Sequence, residues 1–254
     1  MQQHPGARTI KHTAHGRKEL LMTEHMNHRI VILAGATGLV GQEILKGLLS
    51  DDTVAAVHVL GRRKPAQHHP KLTAHIVDFG ALPVLPPAHE VYLALGTTIK
   101  VAGSQNAFRA IDHDANLAVA KAALAAGAKK LGLVSAMGAD AASKIFYSRV
   151  KGELEDALAK LPFEGMVIAR PSMLVGQREQ LGQTVRPGEV LAFKLGQHLG
   201  WLIPANYKPI AASEVAQALL STVPSAQRAV VLLSGALQKH AALDFTHKTI
   251  DDAP

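Results

Sequence analysis

The sequence predicts an α/β protein with a doubly wound parallel sheet and a small C-terminal lobe that faces the substrate. Three observations lead to this class. The chain has 254 residues, of which 48% are hydrophobic and 19% charged, and this composition suits one large folded domain rather than a disordered chain. Short apolar segments alternate with segments at helical spacing, as βαβ units require. A glycine-rich turn directly follows the first apolar segment.

The two kinds of spacing predict the individual elements. Short, continuously apolar segments are typical of buried parallel strands, and they occur at 29–33, 54–60, 73–77, 91–95, 130–135 and 166–169. Helical spacing occurs at 42–49, 106–126, 143–161 and 213–220, with a short helix near 190–199 and a last apolar segment at 229–233. Gly127 and Pro162 stand where two of these helices should end. The strict alternation predicts helices on both faces of the sheet.

Composition also sets the expected boundaries of the domain. The first 28 residues hold five of the 14 histidines and no sustained apolar stretch, so they predict a solvated segment without a secretory signal. The start of translation stays open between Met1, Met22 and Met26. The expected parts are a flexible N-terminal extension at 1–28, a folded α/β domain at 29–235 with a substrate-facing segment at 172–210, and a C-terminal tail at 236–254.

Charge and composition narrow the classes of partner. A formal net charge of +7 and a pI of about 9.7 favour an anionic ligand. Basic residues are scattered and aromatic residues make up only 4% of the chain, which favours a small molecule over nucleic acid. No apolar stretch reaches the ~18–20 residues of a membrane span. The chain has no cysteine, which excludes disulfides and cysteine-ligated metals and favours a reducing, cytoplasmic location. We expect no metal site.

The glycine-rich turn is a candidate dinucleotide site. It reads GATGLVG at 35–41, between the first strand and the helix that follows. Gly35 allows a tight turn, Gly38 lets backbone N–H groups approach a pyrophosphate, and Gly41 lets the helix pack closely. The turn also includes Thr37, Leu39 and Val40, and a helix N-terminus favours anions. The alternative is an ordinary strand-to-helix turn that happens to be rich in glycine.

The end of the second strand indicates which dinucleotide is bound. An NAD site would carry a carboxylate about 20 residues past the glycines, where it bonds the ribose hydroxyl. This chain instead has Arg62 and Arg63 at that place. Guanidinium groups bind phosphate in a forked geometry, so the pair predicts NADP, with NADPH preferred over NADH. The alternative is a basic turn in solvent.

A tyrosine and a lysine form a candidate acid–base pair. Tyr147 and Lys151 are four residues apart in a predicted helix, so they share one face. A nearby cation favours the ionised phenol, and a tuned phenol is the proton donor that carbonyl reduction needs. Ser135 closes the preceding strand, where its hydroxyl would hold the substrate oxygen.

These motifs occur with others in one order along the chain. They are GATGLVG at 35–41, LGRRK at 60–64, VDF at 77–79, LGTT at 95–98, AGSQNAFRAIDHD at 102–114, VSAMGAD at 134–140, YSRVKGELE at 147–155, RPSMLVG at 170–176 and RPGE at 186–189. Over about residues 29–235 the chain resembles an atypical short-chain dehydrogenase/reductase. Within that class it is most similar to the Tat-interacting-protein (CC3-like) subgroup of NAD(P)-binding Rossmann proteins.

The resemblance implies a Rossmann fold, NADPH binding and a catalytic set of Ser135, Tyr147 and Lys151, the last two also touching the cofactor. Further cofactor contacts are implied near the adenine, along the cofactor channel and beside the nicotinamide. They are Asp78 and Phe79, then Leu95, Gly96 and Thr97, then Arg170, Pro171 and Ser172. Many extended relatives carry asparagine where this chain has Asp112, so a departure from the usual proton relay is expected.

Two functions follow from these residues. The first is an NADPH-dependent oxidoreductase that reduces a small carbonyl compound. The alternative is a non-catalytic NADPH-binding regulator or redox sensor that docks a protein partner, because one fold hosts both roles. Nucleic-acid binding is the weakest reading and would show as strongly salt-dependent affinity. The substrate and the oligomeric state stay open.

Overall fold

The computed structural model describes residues 28–175 and 204–240. Its strands are β1 (Arg29–Ala34), β2 (Val54–Gly61), β3 (Leu72–Ile76), β4 (Glu90–Leu93), β5 (Lys130–Val134), β6 (Gly165–Arg170), β7 (Leu174–Val175), β8 (Ile210–Ala211) and β9 (Ala229–Leu233). Most of the N-terminal extension, the helix predicted near 190–199 and part of the C-terminal tail lie outside the described residues.

The helices cover both faces of the sheet. They are α1 (Leu39–Ser50), α2 (Ile99–Ala102), α3 (Gln105–Arg109), α4 (Asn116–Ala125), α5 (Phe146–Ala159) and α6 (Ala212–Thr222), with a 3-10 turn at Ala205–Tyr207 and helical residues at 234–240. The helix predicted at 106–126 contains a π-helical segment, Ala110–Ala115, between α3 and α4. None of the helices in the described ranges has the length and apolar character of a transmembrane span.

The sheet confirms the predicted α/β class. Seven strands lie parallel in the order β3-β2-β1-β4-β5-β6-β9, and β7 and β8 pair in a second sheet of two strands. The chain order reverses between β1 and β4, so the connections that leave these two strands diverge. A crevice therefore opens at the carboxyl ends of β1 and β4, which is where open α/β sheets bind ligands.

The predicted strict alternation of strands and helices is wrong on one side of the sheet. The connections at 62–71 and 77–89 lie wholly within the described residues, and neither contains a helix. Proline explains both cases, because its ring removes a backbone donor and disrupts a helix interior. The prolines are at 65, 70, 83, 86 and 87.

The continuous apolar character of β1 follows from two separate hydrophobic cores. Val31 and Leu33 pack into the core shared with α1 and α6. Ile32 and Ala34 point to the other face and pack with α4 and α5. A strand that is buried on both faces has no position left for a polar residue. This is why apolar and polar residues do not alternate along β1.

A polar network fixes the amino edge of the sheet, opposite the crevice. Arg29 donates to both carboxylate oxygens of Glu90 at 2.9 Å, and the Tyr92 hydroxyl donates to Glu90 at 3.1 Å. Arg29 also pairs with Asp51, whose other oxygen accepts the N–H of Thr53 at 2.8 Å. The network joins β1, β4 and the turn before β2.

Candidate functional site

Four parallel strands bring the predicted site residues to one edge of the sheet. β1 ends at Ala34, directly before the glycine turn, and β4 ends at Leu93, before the segment 95–97. β5 ends one residue before Ser135, and Arg170 is the last residue of β6. Because all these strands are parallel, their carboxyl ends lie together and border the crevice between β1 and β4.

The glycine turn packs tightly against the loop after β4. Gly35 has a φ of +94°, the left-handed region that favours glycine. A Cβ at Gly35 would lie 2.7 Å from the amide nitrogen of Leu95, and one at Gly41 would lie 2.7 Å from the carbonyl carbon of Gly35. Both distances are shorter than any van der Waals contact, so a side chain at either position would force backbone atoms to move.

Gly38 differs from the other two glycines of the turn. It is the N-cap of α1, with a φ of −83° that any residue can adopt and no side-chain cap. A Cβ at Gly38 would meet the Gly35 oxygen at 3.4 Å, an ordinary contact. Internal packing therefore does not require glycine at this position. A ligand lying against the first turn of α1 would require it, since the N–H groups there lack partners within the helix.

The loop after β4 is held by the π-helical segment and the residue that follows it. Asn116 donates to the carbonyl oxygen of Leu95 at 3.1 Å, and Asp112 accepts the N–H of Thr97 at 2.8 Å. Gly96, between these two contacts, is exposed. Asn116 Oδ1 is buried and has no hydrogen-bond partner among the described residues.

The arginines after β2 have the exposure that phosphate recognition requires. Arg62 and Arg63 are both exposed, and among the described residues no carboxylate forms an ion pair with either one. Asp78 is also exposed and accepts the N–H of Gly80 at 2.9 Å. Phe79 is half-buried and packs against the core on the α4 and α5 side.

Tyr147 and Lys151 lie on consecutive turns of α5 in different surroundings. Tyr147 is 37% exposed, and its ring packs 5.5 Å from the ring of Phe108. Lys151 is buried, and its Nζ lies 2.8 Å from Oδ1 of Asp112. Burial raises the pKa of Asp112 above its usual value, and the attraction of the ammonium and the Thr97 hydrogen bond lower it only in part.

Ser135 belongs to a buried chain of polar groups. Its hydroxyl donates to Glu155, one turn beyond Lys151 on α5. The Glu155 carboxylate in turn accepts from Nε of Arg170 at 3.1 Å and from a terminal guanidinium nitrogen at 2.5 Å. Arg170 was expected beside the nicotinamide, and in the structure its guanidinium donates to the carboxylate of Glu155.

The other residues expected beside the nicotinamide join two loops. Pro171 is buried, and its carbonyl oxygen accepts the N–H of Met137 at 2.9 Å. The Ser172 hydroxyl donates to the carbonyl oxygen of Lys208 and lies 3.0 Å from the hydroxyl of Ser234. The start of the segment predicted to face the substrate is thus tied to the chain before β8 and after β9.

Sequence reasoning missed two residues of this arrangement. Glu155 continues the four-residue spacing of Tyr147 and Lys151, and that spacing is a signal that could have revealed it. Asn116 lies one turn after Asp112 in a helix that the sequence presents as uniform, and no sequence signal marks its contact with Leu95. A π-helical segment of the kind found here, which is frequent at functional sites, is not visible in helical spacing.

The chain is similar to curated proteins over most of its length. FMP52 of Coccidioides immitis strain RS is 36% identical over 230 residues, covering 80% of this chain and 92% of the relative. FMP52 of Candida albicans is 38% identical over 197 residues, covering 72% and 82%. HTATIP2 of Rattus norvegicus is 35% identical over 176 residues, covering 66% and 71%. No protein-family model matches the chain.

Solved structures share the fold at low sequence identity. UDP-N-acetylglucosamine 4-epimerase of Methanobrevibacter ruminantium M1 superposes with a TM-score of 0.59 at 15% identity, covering 82% of this chain and 77% of that one. WbmF of Bordetella bronchiseptica, solved with NAD⁺, gives a TM-score of 0.57 at 16% identity, covering 90% and 81%.

The parallel sheet, its crevice and the glycine turn define a protein with a Rossmann-type α/β fold. Within that class, the identity to the curated relatives places the chain in one family. It belongs to the family of FMP52 and HTATIP2, the Tat-interacting protein. This confirms the resemblance given by the motifs.

The predicted cytoplasmic location is wrong. Relatives from Coccidioides immitis, Emericella nidulans and Candida albicans are all named mitochondrial proteins. The prediction depended on the absence of cysteine, which removes disulfide chemistry in every compartment. Cysteine usage therefore does not distinguish one reducing compartment from another.

Proposed function

We propose that this chain is an NADPH-binding oxidoreductase that reduces a small carbonyl compound. The observation that carries the proposal is the convergence of the glycine turn, Ser135 and the helix bearing Tyr147 and Lys151 on one crevice. A dinucleotide site alone would serve many functions. A phenol and a buried ammonium on consecutive helical turns beside that site are the groups that proton transfer to a carbonyl oxygen needs.

The residues at the crevice fit a dinucleotide. The N–H of Gly38 donates to the carbonyl oxygen of Gly35 at 3.0 Å. Because Gly38 has no side chain, there is space in front of the first turn of α1, where the N–H groups of Thr37, Leu39 and Val40 would hold a pyrophosphate. Arg62 and Arg63 are exposed and unpaired with carboxylates in the described residues, so both would be available to the adenosine 2′-phosphate. This arrangement supports NADP over NAD.

The chemistry divides between the cofactor and the chain. A reduced nicotinamide, when bound, supplies a hydride to the carbonyl carbon. Tyr147 gives its hydroxyl proton to the carbonyl oxygen, so that the product is an alcohol, and a proton from solvent restores the phenol. Lys151 orients this exchange from the next turn of α5. Ser135 donates to the same oxygen, which requires its hydroxyl to turn away from Glu155.

One observation favours the alternative function, a regulator that binds NADPH and docks a protein partner. In the described structure the hydroxyl hydrogen of Ser135 is already donated to Glu155, and the ammonium of Lys151 is already paired with Asp112. Two groups of the proposed catalytic set are thus engaged within the protein. A regulator would keep them so when NADPH binds.

Thermal unfolding and a carbonyl screen separate the two functions. The purified chain is heated without ligand, with NADPH and with NADH, and NADPH at a hundred times its Kd should stabilise it by about 2.7 kcal/mol. The oxidoreductase then consumes NADPH in a panel of aldehydes and ketones, followed by absorbance. Stabilisation by NADPH without turnover on any carbonyl would favour the regulator.

The Tyr147→Phe variant tests the proposed proton donor directly. The variant removes the hydroxyl from a side chain that is 37% exposed and whose ring packs on Phe108, so the chain should still fold and bind NADPH. Turnover should fall by at least about a hundredfold, the usual contribution of a positioned acid. Full turnover in this variant would remove Tyr147 from the mechanism.

The names of the fungal relatives also support a proposal on location. Because several of them are called mitochondrial, we propose that this chain acts in the mitochondria of a eukaryotic host. Fractionation of cells that express the full chain tests this.

A further inference from the structure

Large apolar side chains are exposed on the two segments that border the proposed proton donor. Val101 of α2 is 77% exposed and Ile99 of the same helix is 37% exposed. Ile145, the N-cap of α5, is 66% exposed, and Tyr147 follows two residues later with 37%. A single exposed apolar residue is ordinary, whereas a group of them marks a place where a ligand or partner binds. We call these four side chains the apolar surface.

The two segments of the apolar surface lie against one helix, α3. The short helix α2 packs on α3. Phe108, a fully buried residue of α3, has its ring 5.9 Å from the ring of Phe146 and 5.5 Å from the ring of Tyr147. The first turn of α5 and α2 are therefore neighbours of the same element.

A second link holds the chain just before α2 against α5. The carboxylate of Asp112 accepts the backbone N–H of Thr97 at 2.8 Å, and its other oxygen lies 2.8 Å from Nζ of Lys151. Asp112 and Lys151 are both buried. Because α2 begins two residues after Thr97, and Tyr147 lies one turn before Lys151, the apolar surface borders the crevice at the place where a substrate would meet Tyr147.

The hydroxyl groups of the same segments are held against the backbone. Thr98 caps α2 and Ser104 caps α3, each by accepting a backbone N–H at 3.1 Å. The hydroxyl oxygen of Ser143 accepts the N–H of Ile145 at 3.1 Å. These segments thus turn hydroxyl groups towards the chain and large apolar side chains towards solvent, the reverse of the usual arrangement at a surface.

Two lysines supply the exposed charge beside the apolar surface. Lys100 stands between Ile99 and Val101, and Lys144 directly precedes Ile145. Both lysines are exposed. A lysine keeps its ammonium in water while its methylene stem lies along apolar groups, so these residues border the surface without making it polar.

We infer that the substrate of the proposed reductase is an apolar carbonyl compound, whose chain or ring covers Ile99, Val101 and Ile145 while its carbonyl oxygen meets Tyr147. The inference rests on the proposed function and names its substrate class. Contact between an apolar chain and these side chains removes apolar area from water on both partners. A polyhydroxylated substrate in the same place would lose hydration without gaining hydrogen bonds from these side chains.

A series of aldehydes tests the inference with the full chain and NADPH. Each methylene that becomes buried should raise kcat/KM about fourfold, the factor that corresponds to about 0.8 kcal/mol. Octanal should therefore exceed butanal by at least about tenfold, with hexanal between them. Glyceraldehyde, similar in size to butanal but hydroxylated, should react more slowly than butanal. Equal kcat/KM for butanal and octanal, or a higher value for glyceraldehyde than for octanal, would overturn the inference.

The double variant Val101→Thr with Ile145→Thr tests the residues themselves. Both side chains are largely exposed, so the variant should fold, and urea unfolding checks this. Its kcat/KM for octanal should fall at least about fivefold, while the value for butanal should change less than about twofold because the shorter chain covers less of the surface. Val84→Thr makes the same kind of change at a fully exposed position of the connection 77–89 and should alter neither value. An equal loss for both aldehydes would contradict the role of the apolar surface.

Binding of octan-1-ol separates this inference from the proposed function, because NADPH cannot reduce an alcohol. Calorimetry measures the affinity of the wild type and the double variant for octan-1-ol, with and without NADPH. If no carbonyl is reduced but octan-1-ol binds, and binds at least about fivefold more weakly to the double variant, the proposed function fails and the apolar binding site stands. Absence of both turnover and octan-1-ol binding would overturn both.

Discussion

The hydroxyl of Ser135 donates its hydrogen to the carboxylate of Glu155, a residue twenty positions further along the chain. The contact joins the end of β5 to the middle of α5. Glu155 is buried and is held on its other side by Arg170 at the end of β6. Two strand ends and a helix are therefore connected through one carboxylate at the edge of the crevice.

Glu155→Gln should destabilise the fold. The amide keeps the shape of the side chain but loses the ion pair with Arg170 and offers one acceptor instead of two. We expect the free energy of unfolding to fall by about 1.5–3 kcal/mol, the range for hydrogen bonds to charged groups. Glu153→Gln on the same helix is the matched control, because its partner Arg109 is partly exposed, and it should cost less than about 1 kcal/mol. Equal losses in urea unfolding would contradict this assignment.

Alanine substitutions at two glycines of the turn should affect different properties, stability at Gly41 and NADPH binding at Gly38. Gly41→Ala places a methyl group against the Gly35 carbonyl and should lower the free energy of unfolding by about 1–3 kcal/mol, as overpacking does. Gly38→Ala meets only ordinary contacts and should change stability by less than about 1 kcal/mol. Gly38→Ala should nevertheless weaken the binding of NADPH by tenfold or more, which corresponds to about 1.4 kcal/mol. Calorimetric titration and urea unfolding measure both effects, and unimpaired NADPH binding by Gly38→Ala would argue against a pyrophosphate at this turn.

Arg62→Glu or Arg63→Glu should change the choice between nicotinamide cofactors. Loss of a charge-assisted hydrogen bond to the 2′-phosphate should lower the affinity for NADPH by roughly 10- to 100-fold. NADH lacks this phosphate, so its affinity should change little. Lys121→Glu makes the same change of charge on an exposed face of α4 and controls for the net charge of the chain. An equal loss of affinity for NADPH and NADH would refute the predicted preference for NADP.

Asp51 should contribute stability that disappears in acid. Burial by itself raises its pKa, but the hydrogen bonds from Thr53 and the attraction of Arg29 outweigh this and leave the pKa lowered. A carboxyl whose pKa is lower in the folded state stabilises the protein above its unfolded pKa of about 3.9 and loses this effect as pH falls through the folded value.

The Asp51→Asn variant measures this contribution. The difference in unfolding free energy between wild type and variant should be constant from about pH 7 to pH 5 and should shrink below about pH 4. Asp52→Asn, at the exposed neighbouring position, removes the same formal charge and is the control for a change in the net charge of the chain. A difference that stays constant down to the lowest pH at which the protein is folded would mean that Asp51 acts without its charge.

The sequence predicted most of the sheet because the signals involved are local. β1, β5 and β6 are short apolar segments that are buried on both faces of the sheet, and burial of both faces leaves a continuous apolar pattern in the sequence. The glycine turn was equally visible, since Gly35 and Gly41 occupy places where backbone atoms leave no space for a side chain. The predicted strict alternation of strands and helices failed at 62–71 and 77–89, where prolines interrupt the chain and no helix forms.

The sequence by itself determined the fold class, the family, the glycine turn and the four-residue spacing of Tyr147 and Lys151, because each depends on residues close together in the chain. Only the tertiary structure decided which groups those side chains meet. Lys151 pairs with Asp112, 39 positions away, and Ser135 donates to Glu155 rather than standing free. Such pairings arise where strand ends and helices from distant parts of the chain meet at one edge of a sheet, and no local pattern of residues encodes the distance between them.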